Sequence, residues 1–143
     1  MKTLPAVKKQ LTELLKEAPG VGLAGVQVTY GHPGLDHTTE ADCYLDGTDD
    51  SDTAWANLRG KNDERYSLQM YVIVESPGDD EEEATDRAHA VFEAAREVIR
   101  TAKPVTDVEM PYQVAAKAST PFMGKEGERA VQIEAVVRIW ERS

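Results

Sequence analysis

The chain has 143 residues, a net charge of −10 at pH 7 and an apolar share of 41%. This length predicts a single domain, residues 1–143, that can bury its own core. The negative charge argues against a protein that binds nucleic acid through a basic face and against docking on anionic membranes. No stretch approaches the ~20 apolar residues of a membrane-spanning helix. The single cysteine, Cys43, cannot form an intramolecular disulfide, which indicates a reducing, cytosol-like compartment.

The N-terminal part is predicted to form one helix followed by short strands. Thr3 can cap the helix, Pro5 fits its first turn, and Pro19-Gly20 ends it. Alternating apolar and polar side chains predict strands over residues 25–30 and 40–45. Residues 53–59 are compatible with either a short strand or a helical turn.

An acidic loop, DGTDDSD, follows the second predicted strand at residues 46–52. Asp46, Asp50 and Asp52 alternate along the chain in the manner of a calcium loop, but the EF-hand pattern also needs Gly at its sixth position and Glu at its twelfth. Those positions hold serine and asparagine. We therefore expect a solvated acidic loop, and weak binding of Mg²⁺ or Ca²⁺ by the three aspartates is the alternative.

The clearest pattern is a long strand that leads into a long helix. In RYSLQMYVIVE, residues 65–75, one alternating face is apolar throughout, and the other becomes apolar at Tyr71 and Ile73. A Pro-Gly break follows, and then the acids of residues 79–83. With Asp79 or Asp80 as the cap, these acids are typical of a helix start rather than a metal site. An alanine-rich stripe then predicts an amphipathic helix of about 20 residues.

Two further strands are predicted at the C-terminal end. Residues 108–116 and 131–139 alternate, and the loop between them spans residues 119–127, so we expect an antiparallel hairpin with a long tip. The element order α-β-β-(β)-α-β-β predicts an α+β fold, in which two helices pack on one face of a mostly antiparallel sheet.

The chain carries few signatures of enzymatic chemistry. His32, His37 and His89 lack the spacing of a zinc site, and Cys43 has no neighbouring base and is predicted to be a small buried apolar residue. Nucleophile-elbow, phosphate-loop and dinucleotide-binding motifs are absent from the sequence. We assign no catalytic residue, no resident metal and no cofactor.

Several large apolar side chains are candidates for an oligomer or partner interface. Phe122 and Met123 fall at the predicted hairpin tip, and Trp55 lies beside the acidic loop. Tyr71, Ile73 and Trp140 belong to the second face of the sheet. Such side chains either cap the core of their own subunit or insert into a neighbour, where aromatic residues and methionine are enriched.

Four segments together carry a family resemblance. An N-terminal helix ending in Pro-Gly is followed by GVQVTYGHPG, by ERYSLQMYVIVESPGDD running into EEEATDRAHAVFEAAREVIR, and by the closing strand AVQIEAVVRIWER. In this order and patterning the chain resembles the tail-terminator (tail-completion) proteins of long-tailed bacteriophages, particularly those that infect actinobacteria. The resemblance covers nearly the full length and depends on no invariant motif.

The resemblance implies a structural virion protein without enzymatic activity. Such proteins form a six-membered ring on the head-proximal end of the tail, after assembly in the host cytoplasm. The implied partners are further copies of the chain, the tail tube protein and a head–tail connector (stopper) protein. Genomic DNA passes through the ring without sequence-specific binding, and acids lining the hole would repel its phosphates.

Two alternatives stay open. The first is another head–tail connector component, a stopper or an adaptor. The second is a cytosolic α+β enzyme or small-molecule-binding domain, which would require a pocket with converging polar groups.

Overall fold

The computed structural model describes residues 2–33, 41–47, 51–55, 62–76, 80–124 and 127–142, and at 51–55, 62 and 63 it describes the backbone alone. Two α-helices are present in these ranges, α1 (Leu4–Glu17) and α2 (Glu81–Thr101), with a short 3-10 turn at Gly22–Ala24. The strands are β1 (Gln27–Thr29), β2 (Ala41–Leu45), β3 (Ser51–Trp55), β4 (Asn62–Ser76), β5 (Gln113–Met123) and β6 (Arg129–Arg142).

Within the described ranges, the strands form one sheet in the order β1-β2-β4-β6-β5, and β3 pairs with the first part of β4. The β1–β2 pairing is parallel, and every other pairing is antiparallel. The predicted α+β fold with a mostly antiparallel sheet is therefore confirmed. The segment 53–59, which the sequence left undecided, begins within β3.

The core lies between one face of the sheet and the two helices. The alternating apolar row of β4, predicted to face the core, is fully buried: Tyr66, Leu68, Met70, Val72 and Val74. Its partners across β6 are buried as well, among them Val131, Ile133 and Val137. From α2 the buried stripe consists of Ala84, Ala88, Val91, Phe92, Ala95 and Ile99. We will call this side of the sheet the core face and the opposite side the open face.

Both helices begin and end near the predicted residues. Asp80 caps α2 and accepts a hydrogen bond from the backbone N–H of Glu83 at 3.2 Å, as predicted for the helix start. Thr3 is the N-cap residue of α1, but its side chain makes no capping hydrogen bond. The Thr3 hydroxyl instead bonds to Tyr66 and Glu141. The predicted start of α1 is therefore correct, but the prediction that the Thr3 side chain caps this helix is wrong.

Two predictions about the C-terminal hairpin are wrong. Its first strand is Gln113–Met123 rather than 108–116, and residues 119–123 belong to this strand rather than to a long loop. Val108 forms only an isolated bridge with Glu141. Alternation predicts burial on one face, and β5 is exposed along nearly its whole length, so its pairing with β6 leaves no alternating signature.

Candidate functional site

The acidic segments show no metal centre in the part of the chain that the structure describes. No group of three His, Cys, Asp or Glu side chains there could hold an ion. Asp46 accepts a hydrogen bond from the backbone N–H of Gly47 at 2.8 Å. Asp50 lies outside the described residues, and the side chain of Asp52 does too. The weak cation site predicted from these three aspartates remains untested.

Part of the open face is packed by its own side chains. Tyr71 stacks on Tyr44 with ring centroids 5.2 Å apart, and His32 meets Tyr44 edge-on at 5.1 Å. Tyr71 and Ile73 are half-buried. Both therefore lie on the second face of the sheet as predicted, and Tyr71 has aromatic partners within its own subunit. Trp55 ends β3, and its side chain is outside the described residues, as is the whole of His37.

Burial raises the pKa values of two described side chains that could act as nucleophiles, those of Cys43 and Tyr44. Cys43 is fully buried, and burial, followed by the negative charge of Asp42, raises the pKa of its thiol to about 12. Burial likewise raises the pKa of Tyr44 to about 12. A thiol with so high a pKa carries almost no thiolate at neutral pH. Cys43 is thus a small buried side chain, as the sequence predicted.

The long edge strand β5 is the most unusual surface. Residues 115–123 are exposed on both faces of the strand, and no strand of the described ranges pairs with its outer edge. Lys117 and Pro121 lie within it, and both residue types limit uncontrolled edge-to-edge pairing. Ala115, Ala116 and Ala118 leave most of the strand surface apolar and without long side chains. Sequence reasoning placed residues 119–123 of this strand in a loop.

Phe122 and Met123 lie at the end of β5, not on a loop tip as predicted. Phe122 is 39% exposed and Met123 is 61% exposed. The turn that follows is closed by a hydrogen bond from the Gly124 N–H to the Glu128 carbonyl at 2.8 Å. Two large apolar side chains at the end of an exposed edge strand are typical of a surface that contacts another protein.

A groove runs between β5 and α2 on the core face. It encloses about 510 Å³ and is lined by Phe92, Ile133 and the alanines of β5. His89 bridges it through a 3.2 Å hydrogen bond between its Nε2 and the Ser119 hydroxyl. Glu93, Arg96 and Lys117 add charged groups to its lining.

A second cavity, of about 340 Å³, lies near the other end of β5. Its polar and aromatic walls come from Arg65, Arg138, Trp140 and Gln113, and Met110 adds an apolar wall. The Arg65 guanidinium lies 4.0 Å from the centroid of the Trp140 ring. Trp140 is half-buried, and its indole N–H is buried without an acceptor in the described residues.

The residue after Trp140 on β6, Glu141, joins the start of α1 to the end of β6. Its side chain is buried and accepts hydrogen bonds from the backbone N–H of Lys2 at 3.0 Å and of Thr3 at 2.7 Å, and from the Thr3 hydroxyl. Burial alone raises the pKa of this carboxyl, but the hydrogen bonds from Thr3 and Lys2 outweigh burial and lower it to about 2. Sequence reasoning missed this residue because its donors are distant in the chain.

Comparisons with known proteins support the fold. No family model and no curated protein matches the chain. Among solved structures, the chain is similar to one described as "Virion of native gene transfer agent (GTA) particle", with a TM-score of 0.52 and 14% identity. The match covers 95% of this chain and 94% of that chain. No helix in the described ranges is long and apolar enough to cross a membrane. The two chains therefore share an α+β fold over nearly their full lengths.

Proposed function

We propose that this chain is a structural component of a phage-type virion and acts as its tail terminator. In this role, copies of the chain close into a ring on the head-proximal end of the tail tube. The ring stops tube polymerisation and offers the surface that joins the head. The genome passes through its centre, and no enzymatic activity is part of the role. The family resemblance supplies the six-fold ring and the tube and connector partners.

The observation that carries the proposal is the exposed edge strand β5, whose outer edge has no partner strand in the described ranges, with Phe122 and Met123 at its end. A subunit that acts alone gains nothing from an eleven-residue edge strand with so much uncovered apolar surface, and such an edge carries a risk of aggregation. A subunit that assembles covers it. The fold shared with a chain of a virion particle agrees with this reading.

Assembly of the purified chain tests the proposal. We expect light scattering to give a mass near six copies of 15.8 kDa, about 95 kDa, and negative stain to show rings. A chain that stays monomeric at all concentrations and fails to cap isolated tail tubes would overturn it. A phage that lacks the chain should make overlong or headless tails. Normal tails would refute the terminator role.

Substitution of the β5 end separates assembly from folding. Phe122→Ser combined with Met123→Ser should abolish rings while leaving the circular dichroism spectrum unchanged, because both side chains are exposed. Leu23→Ser is the matched control, since Leu23 is 70% exposed and lies in the 3-10 turn rather than on β5. If the double variant unfolds, these two residues belong to the core and the interface assignment is wrong.

A stopper or adaptor role in the same connector is the second candidate. This role would use the same exposed surfaces of the subunit. The tail-tube assay distinguishes a stopper or adaptor from a terminator. A protein that assembles but leaves tube length unregulated would be assigned to the connector instead.

A further inference from the structure

The two ends of the sheet present different exposed charged groups. At one end, Ser76, Arg129 and Met123 are aligned across β4, β6 and β5, and α2 begins five residues after β4 ends. We call this the tip end: Phe122, Met123 and the acids from Asp80 to Asp86. At the other end lies the cavity of Arg65, Arg138 and Trp140, which we call the basic end. Eleven positions of β4 separate Arg65 from Ser76, roughly 36 Å in an extended strand.

The basic end presents two guanidinium groups without carboxylate partners. In the described residues neither Arg65 nor Arg138 forms an ion pair, and Arg65 contacts the Trp140 ring instead. Arg65 and Trp140 face each other across β4 and β6, and Arg138 lies two positions along β6 on the same face, roughly 7 Å away. This spacing suits two carboxylates from one incoming segment, because each guanidinium can bind a carboxylate through two parallel hydrogen bonds.

The acids near this cavity whose side chains the structure describes are already engaged, and Glu64 also has a partner. Asp52, which lies opposite Arg65 in the register of β3 and β4, and Asp63 are described by their backbone alone. Glu109 pairs with Arg142, Asp107 pairs with Lys2 at 3.5 Å, and Glu141 accepts the hydrogen bonds described above. They are therefore not available to neutralise Arg65 and Arg138. Among the described side chains of a chain with net charge −10, Arg65 and Arg138 are therefore left without carboxylates on one surface, and a partner with carboxylates would fit them.

The tip end presents the complementary groups. Asp80, Glu81, Glu82, Glu83 and Asp86 are all exposed. Glu81, Glu82 and Asp86 form no ion pair within the described ranges. Three unpaired carboxylates thus lie at one end of the subunit. The exposed side chains of Phe122 and Met123 lie at the same end and supply apolar surface.

We propose that the tip end of one copy docks on the basic end of the next, with the acids at the start of α2 pairing with Arg65 and Arg138. This inference rests on the proposed assembly and names its contact. The apolar groups correspond too: Phe122 and Met123 at the tip end meet Met110, which is 40% exposed, and Trp140. Because the mating surfaces are different and lie at opposite ends, the contact is head-to-tail, which closes into a ring when the rotation allows.

Charge reversal tests the contact in the full chain. The basic-end variant carries Arg65→Glu and Arg138→Glu, and the acid-end variant carries Glu81→Arg and Glu82→Arg. Each alone places like charges together, so the concentration needed for half-assembly should rise more than tenfold, roughly. An equal mixture of the two should assemble again, because their reversed surfaces are complementary. Lys9→Glu, an exposed reversal on α1, should leave assembly unchanged.

The outcomes distinguish this inference from the proposed function. If the wild type forms rings and the basic-end variant assembles equally well, the proposed contact is refuted and the proposed ring assembly is not. If both variants fail and their mixture also fails, the pairing is wrong, provided that each variant keeps the wild-type urea midpoint. If the wild type itself never assembles, the proposed function fails. Recovery of rings only in the mixture supports the head-to-tail contact.

Discussion

Glu141→Gln should destabilise the subunit by far more than removal of an ordinary surface charge. The substitution keeps the size of the side chain and one acceptor oxygen, but it removes the charge and turns an amide N–H₂ towards backbone N–H donors. In the native subunit the buried carboxylate accepts hydrogen bonds from Lys2 and Thr3. These bonds join the first turn of α1 to β6, and the Thr3 hydroxyl extends them to Tyr66 at 2.9 Å.

The lowered pKa of Glu141 gives the size of the expected loss in unfolding free energy. It is lowered from an ordinary value of 4.5 to about 2, and this interval corresponds to about 3 kcal/mol at about 1.36 kcal/mol per pKa unit. Because the folded pKa is the lower one, the carboxylate contributes its full stabilisation above pH 4.5. That contribution is lost as the pH falls through about 2. We expect the variant to lose about 3 kcal/mol at pH 7 and progressively less between pH 4.5 and 2.

Urea unfolding followed by circular dichroism, repeated between pH 7 and pH 3, measures this difference. Glu97→Gln is the control, because Glu97 forms an exposed ion pair with Arg100 at 2.8 Å that is worth less than about 1 kcal/mol. A loss below about 1 kcal/mol for Glu141→Gln at pH 7, or a loss that does not change with pH, would refute the role assigned to the buried carboxylate.

Three further outcomes are expected. Cys43 should react with a thiol reagent only after urea unfolding, because burial raises its pKa to about 12; rapid reaction of the folded chain at pH 8 would contradict this. Asp80→Ala should cost about 1 kcal/mol in urea unfolding through loss of the α2 cap, whereas Asp80→Asn should retain most of it. Gly22→Ala should cost about 1–3 kcal/mol, because its Cβ would overlap the Lys16 carbonyl. Gly47→Ala, whose Cβ meets nothing within 4 Å, should be near neutral, and equal losses for the two glycines would exclude the steric explanation.

Strong periodicity made much of the fold predictable from sequence. The row from Tyr66 to Val74 alternates because one face is buried, and the stripe from Ala84 to Ile99 recurs at helical spacing for the same reason. Capping by Asp80 was readable because the cap and the amide it binds are three residues apart. Strands and helices that are determined by burial or by a local cap can therefore be predicted from the amino-acid pattern.

The remaining features depend on contacts that are distant in the chain. The pairing of Thr3 with Glu141 joins two residues with no local relation, so a capping rule assigns Thr3 to its own helix. The extent of β5 was missed because hydrogen bonding to β6 holds it, with little burial on either face. The basic end is likewise built from β4, β6 and the segment before β5. Arg65 and Arg138 are unremarkable in the sequence, and only strand register brings them together.

The placement of β6 between β4 and β5 has a consequence for how the chain folds. The contacts of β4 with β6 close loops of roughly 50 residues or more, since Ser76 pairs with Arg129. On a ribosome, β4 and α2 emerge after β2 and β3, which can pair with one edge of β4. The apolar row of β4 stays without its neighbour strand on the other edge until β6 follows. Because such non-local pairing folds slowly, unfinished chains would expose the same apolar surface that aggregates most readily. Expression at lower temperature should therefore raise the soluble yield of this protein.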